Sequence, residues 1–280
     1  MRIINSQLIT DEVKKLCMEA NYYLPCDIRE ALKNAEQTEK SGTGKDILKK
    51  ITENYQIAEK KRVPICQDTG MAVFFIEIGK DVHIAGLNLT EAVNLGVKNG
   101  YGEGYLRKSI VSDPLFRENT QDNTPAVIHY EFTDGDKVKI TIAPKGFGSE
   151  NMSAVKMFSP SAGAYGIKEF VVETVNKAGS NPCPPIVVGV GIGGNFESCA
   201  MLAKKALIRS IMTDNPNPYY AELEKELLGR INKLGIGPQG FGGTTTALGV
   251  NIETAPTHIA GMPCAVNISC HVTRHKTVII

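Results

Sequence analysis

Tryptophan is absent from the chain, and so is any excess of charge: 31 Lys and Arg stand against 30 Asp and Glu, for a net charge of +1. Without a basic field the chain has no electrostatic footprint for nucleic acid or for an anionic membrane surface. No apolar run approaches the roughly 20 residues that span a bilayer. The start, Met1-Arg2-Ile3-Ile4-Asn5-Ser6-Gln7, is too polar for a secretory signal and runs straight into helical periodicity, so a cytoplasmic protein is expected. There is no internal repeat, no low-complexity linker and no C-x-x-C pair, and the last absence removes the usual spacing of structural zinc. What remains is an ordinary soluble composition, 42% hydrophobic and 22% charged over 280 residues. That is enough chain for one large domain or two small ones with a substantial core.

Seven cysteines are present, Cys17, Cys26, Cys66, Cys183, Cys199, Cys264 and Cys270. The odd number and scattered spacing argue against a disulfide framework, so each is a core residue, a metal ligand or a nucleophile. Cys66-Gln67-Asp68-Thr69-Gly70 stands out. It follows Val63-Pro64-Ile65, where proline biases its predecessor toward extended geometry. It precedes Met71-Ala72-Val73-Phe74-Phe75-Ile76, a short branched and aromatic run that reads as a buried strand. A thiol, an amide, a carboxylate and a hydroxyl thus meet in one tight loop held by a strand, a usual setting for chemistry.

About 60 residues of helical pattern precede that loop. Cys17 falls on the apolar face of the first helix. Asp27 is expected to cap the second, and Thr43 with Asp46 to form a capping box for the third. Thr90 is expected to start a helix running toward Arg107. The alternating stretches 128–132 and 138–142, separated by Thr133-Asp134-Gly135-Asp136, carry a β-hairpin signal. Pro144-Lys145-Gly146-Phe147-Gly148-Ser149-Glu150-Asn151 is a glycine-rich loop. Pro182, Pro184 and Pro185 hold Cys183 in a stiff, extended loop, where proline has no N–H for a ladder. Cys199 lies on the apolar side of a helix and is expected to be packing.

Three functional readings compete. Gly189-Val190-Gly191-Ile192-Gly193-Gly194 matches G-x-G-x-x-G, yet a dinucleotide fold needs a second parallel strand ending in an acid about 20 residues on, and Asn215-Pro216-Asn217-Pro218 breaks the chain there. Four scattered cysteines, Cys66, Cys183, Cys264 and Cys270, offer a zinc site. Three loop cysteines offer an iron–sulfur cube with one iron left open, able to act as a Lewis acid on a hydroxyl or carboxylate oxygen.

The elements Cys66-Gln67-Asp68-Thr69-Gly70, Lys145-Gly146-Phe147-Gly148-Ser149-Glu150-Asn151, Cys183-Pro184-Pro185 and Asn267-Ile268-Ser269-Cys270-His271-Val272-Thr273-Arg274 resemble, in order and across nearly the whole chain, the α part of the class I fumarase / L-tartrate dehydratase family of iron–sulfur hydro-lyases. The resemblance implies a 4Fe-4S cluster with one non-cysteine-ligated iron, held by Cys66, Cys183 and Cys270; Cys264 matches a non-ligand cysteine. It implies that Gln67, Asp68, Arg107, Gly148 and His258 surround a small dicarboxylate, with Asp68 moving the proton of the substrate hydroxyl and Gln67 orienting a carboxylate. His129, His271 and His275 have no such match and are expected to be surface or packing residues. The expected fold is mixed α/β (α+β), one hydro-lyase domain over 1–280 with a mostly helical portion over about 1–62 and short, partly antiparallel sheets. The expected activity is fumarate hydration to L-malate, with L(+)-tartrate dehydration as the alternative and a zinc-stabilised binding module as the alternative from another class. The resemblance further implies a β subunit, in an α2β2 heterotetramer, without which the chain is inactive.

Overall fold

The structure, a computed structural model, describes residues 1–280. It is of the expected mixed α/β class. The chain forms two compact units, the first made of Met1–Pro25, Tyr55–Phe147 and Arg274–Ile280, the second of Cys26–Asn54 and Gly148–Thr273. No helix is long and apolar enough to cross a membrane.

In the first unit, β1 (Arg2–Asn5) pairs in parallel with β3 (Val82–Ala85). Asn5 then caps α1 (Ser6–Tyr22), its side chain accepting the Gln7 N–H, which satisfies one orphan donor of the first turn. Ile9, Val13, Leu16, Cys17 and Ala20 form the buried stripe of α1. They join a core with Val93, Val97 and Tyr101 of α4 (Leu89–Glu103). A four-stranded sheet supplies the rest, in the order β10 (Lys276–Ile279), β5 (Val138–Ile142), β2 (Val73–Gly79), β4 (Val127–Thr133).

The expected hairpin between residues 128–132 and 138–142 does not form. β2 lies between the two strands, parallel to β4 and antiparallel to β5. The reason is burial: Val73, Phe74, Phe75 and Ile76 are all buried and need a partner strand on each edge, whereas Tyr130, Glu131 and Phe132 of β4 are exposed. The turn between β4 and β5 bonds to the end of β2 instead. The Gly79 N–H donates to the Lys137 carbonyl, that of Lys80 to Thr133, and that of Asp81 to Gly135.

The second unit takes α2 (Cys26–Thr38) and the first part of α3 (Gly42–Lys61), whose remainder belongs to the first unit. Beyond the boundary inside α5 (Phe147–Glu150) follow β6 (Ala154–Phe158), α6 (Gly163–Ala178), β7 (Ile186–Gly194), α7 (Phe196–Ala206), α8 (Pro218–Asn232), β8 (Ala247–Thr257) and β9 (Met262–Ser269). The sheet order is β6-β9-β7-β8, with β7 parallel to β8 and antiparallel to β9. Val188, Val190, Val266 and Ile268 of the sheet, Val171 and Val175 of α6, and Leu227 and Ile231 of α8 form its core.

Helix starts differ from expectation by a residue or two. Ser41, not Thr43, caps α3, its hydroxyl accepting the Gly44 N–H. Asn88, not Thr90, caps α4 in a capping box with Glu91. Asp27 lies inside the first turn of α2, one oxygen accepting the Ile28 N–H and the other the Ile211 N–H.

The glycines of Gly189-Val190-Gly191 are a packing device. A Cβ on Gly189 would run into the Ala203 carbonyl oxygen, and one on Gly191 into that of Cys199. The strand accepts α7 at backbone distance because two of its residues lack side chains.

Candidate functional site

The Cys66–Gly70 loop, in the first unit, is held at every carbonyl from Asp68 on. The Arg274 guanidinium donates to the Asp68 carbonyl at 2.6 Å. Tyr101 places its hydroxyl 3.0 Å from both the Thr69 and Gly70 carbonyls, and the Asn123 side chain donates to Gly70 at 3.3 Å. Burial pushes the Tyr101 phenol up, so it stays a neutral donor. Gly70 sits at φ +78°, and a Cβ there would lie 2.7 Å from the Lys145 carbonyl carbon; only glycine fits.

Within this frame the Asp68 carboxylate bridges two loops. One oxygen accepts the Gly70 N–H at 3.0 Å and the other the Phe147 N–H at 2.9 Å. The Cys66 sulfur, half-buried, accepts the Asp68 N–H at 3.4 Å. Gln67 is exposed. Arg107 is exposed as well, and its carbonyl accepts the Thr69 hydroxyl at 3.0 Å, so its backbone is tied to the same loop. The first unit thus brings together Cys66, Gln67, Asp68 and Arg107.

Cys183 and Cys270 belong to the second unit and lie at one end of its sheet. Cys183 precedes β7, and Cys270 follows β9, whose last residue, Ser269, pairs with Val187. Cys183 is exposed with φ +55°, and Cys270 is half-buried. Gly148 is nearby in the chain trace, its position facing the Asn181 carbonyl.

His258 is not with them. It sits in the exposed turn after β8, at the Gly194 end of β7. The length of β7 separates it from the cysteine end, roughly 25 Å at about 3.3 Å per residue. Its ring accepts the Ala260 N–H at 3.1 Å.

The remaining cysteines sort by burial. Cys17 and Cys199 are fully buried, and burial pushes both thiols up. Cys264 is buried in β9 and pushed up to about 12 by burial and by Cys199 beside it. Metals take thiolates, so these three are poor donors. Cys26 is exposed, its thiol 3.4 Å from the Glu30 carboxylate. Within either unit no three His, Cys, Asp or Glu side chains gather as a metal site. The chemistry of the donor set nonetheless fits a cluster better than any other cysteines here: Cys66, Cys183 and Cys270 are loop thiols, none fully buried.

Sequence reasoning missed the residues that hold these loops. Nothing in the sequence marks Tyr101 or Asn123 for this task, and Arg274 enters only as the last residue of the Asn267–Arg274 stretch. His271, expected to be surface or packing, is bound to the Cys183 backbone: its ring Nδ1 lies 2.9 Å from that carbonyl. Its place in the Cys270-His271-Val272-Thr273-Arg274 run was the one available signal.

A family model described as fumarate hydratase (fumerase) matches residues 10–279. A protein of Methanocaldococcus jannaschii, provisionally named an L(+)-tartrate dehydratase subunit alpha, is 46% identical over 272 residues, 95% of each chain. The L(+)-tartrate dehydratase subunit alpha of Escherichia coli O157:H7 is 34% identical over 277 residues, covering 97% of this chain and 90% of its own. That of Escherichia coli K12 is 33% identical over the same span.

Proposed function

The chain belongs to the fumarate hydratase (fumerase) family of hydro-lyases, and on that premise we propose that it is the α subunit of a two-subunit dehydratase acting on L(+)-tartrate. The observation that carries the substrate is the 46% identity, over 95% of both chains, to a protein provisionally named for that reaction. Fumarate, the substrate first expected, stands behind it, because the relatives compared carry the tartrate name. Those names also call each relative a subunit alpha, which supports a β partner here.

Cys66, Cys183 and Cys270 are the residues that would hold a 4Fe-4S cluster. When bound, such a cluster supplies an iron with an open position that acts as a Lewis acid toward a hydroxyl or carboxylate oxygen. Dehydration removes a hydroxyl from one carbon and a proton from the next; from tartrate this leaves an enol, which becomes a 2-oxo diacid. Asp68 is assigned to deliver the proton with which the departing hydroxyl leaves as water. Its carboxylate is fixed by the Gly70 and Phe147 N–H groups, and each oxygen keeps a further lone pair. Gln67, exposed one residue away, orients a substrate carboxylate. Arg107 offers a charge-assisted pair, the strong form of carboxylate recognition. Gly148 is exposed and gives a ligand access to its backbone. His258, at the far end of its sheet, is given no part in this arrangement. The group that takes the carbon-bound proton and the clamp for the second carboxylate are assigned to the β subunit.

The test is turnover by the chain purified anaerobically with its partner, on L(+)-tartrate, the other tartrates and fumarate. A kcat/KM for L(+)-tartrate at least tenfold above fumarate supports the reading; the reverse order makes this a fumarate hydratase. Asp68→Asn should lower kcat by about 10² to 10⁴, the range for a general acid–base group, while the cluster absorption persists. An unchanged kcat removes Asp68 from the chemistry.

A further inference from the structure

The Cys183 turn is fastened twice from distant parts of the second unit. The Cys183 carbonyl accepts the His271 ring Nδ1 at 2.9 Å and the His271 backbone N–H at 3.4 Å. The next carbonyl, of Pro184, accepts the Gln239 backbone N–H at 2.7 Å and its side-chain amide at 2.8 Å. Cys183 and Gln239 are both left-handed, at φ +55° and +52°. Backbone of that kind persists in non-glycine residues only where its surroundings over-determine it, and these four bonds do so. Gln239 is itself held: the loop that follows it is tied at Thr244 and Thr245 to the buried Glu39 carboxylate.

A carbonyl only accepts, so the 2.9 Å contact assigns the His271 proton to Nδ1. The Gln239 amide, 3.2 Å from the same nitrogen, then directs one of its two protons to the Pro184 carbonyl. His271 is also the residue immediately after Cys270, so one residue couples the backbones of two of the three loop cysteines.

We infer that His271 is a positioning residue, backed by Gln239, that sets the Cys183 and Cys270 turns in ligand conformation before any metal binds. The inference rests on the reading of Cys183 and Cys270 as cluster ligands. Outer partners that orient ligands are worth about 10- to 100-fold in metal affinity, and this pair acts on the ligand backbone instead of on the sulfur.

Isosteres supply the test. Asparagine places an amide N–H where His271 has Nδ1, and glutamine places one where the ring has Nε2. Wild-type, His271→Asn, His271→Gln and His271→Ala chains, each with the partner subunit, are reconstituted anaerobically, and iron loss to a chelator is timed. The expected result is near-wild-type retention in His271→Asn and a loss about tenfold or more faster in His271→Gln and His271→Ala. Equal retention in all four overturns the inference. The second readout needs no metal: alkylation of Cys183, measured by mass spectrometry against Cys26 as internal reference, should change in His271→Ala and be restored in His271→Asn. If the wild type takes up no iron, the cluster reading fails. The alkylation pattern then decides the positioning role by itself, and a pattern identical in all variants rejects it. Should His271→Ala fail to fold, the Asn and Gln variants carry the comparison.

Discussion

Glu39 is 1% exposed, yet it is an anion. Burial alone would raise its pKa; the N–H groups of Ser41, Thr244 and Thr245 and the Thr244 hydroxyl outweigh burial and bring it down to about 2, from 4.5. Each pKa unit is worth about 1.4 kcal/mol, so the carboxylate contributes roughly 3 kcal/mol. The folded pKa is depressed, so this contribution is fully present above pH 4.5 and is lost as pH falls from 4.5 toward 2. Urea unfolding should therefore find Glu39→Gln destabilised by about 2 to 3 kcal/mol at pH 7 and by roughly half as much at pH 3. A gap of the same size at both pH values would mean that packing, not charge, holds this corner. None of this was legible in the sequence, because Glu39 meets Thr244 across 205 residues. The Cys66–Gly70 loop was legible because its donors are contiguous. Its clamps, Tyr101, Asn123 and Arg274, lie 31, 53 and 206 residues away, and bonds from side chain to backbone leave no periodicity to read.

Helices and central strands were readable because burial writes a period into them: β2 and α7 fall where their apolar spacing puts them. Pairing was not readable. Two alternating segments with a glycine turn look like a hairpin, and only the greater burial of β2 places it between them. β9 went unread because Pro263 and the polar Asn267 and Ser269 interrupt its pattern, although every residue from Pro263 to Ser269 is buried. The G-x-G pattern in β7 shows the reverse ambiguity, since one motif serves either a phosphate or a close-packed helix. The contact of Gly189 and Gly191 with the α7 backbone leads to a direct expectation. Gly191→Ala must push α7 off the strand, and overpacking of this kind costs about 1 to 3 kcal/mol or more. Gly229→Ala, whose added Cβ would meet nothing in the helix α8, should be stabilising by up to about 1 kcal/mol. Denaturant midpoints of the two variants should move in opposite directions; a neutral Gly191→Ala would show that α7 is not seated on β7 as described.

At the scale of the molecule, each unit carries its own apolar core. One is centred on Ile9, Val13, Phe74, Val97 and Ile140, the other on Val171, Val188, Leu227, Ile231 and Ile268. The buried thiols Cys17 and Cys264 are members of these cores; Cys66, Cys183 and Cys270 are not. A small zinc module is built the opposite way: its metal is its core, and the binding free energy is its folding free energy. Stripping metal from this chain by oxidation and chelation should thus leave its far-UV circular dichroism unchanged. Its urea unfolding should stay cooperative, with a midpoint shifted only by the mass-action contribution of a ligand that binds the native state. Colour and activity should vanish together in the same sample. A chain that unfolds when its metal is removed would contradict this placement of the cores and favour the zinc-stabilised module, because the three loop cysteines would then carry the fold and not the chemistry.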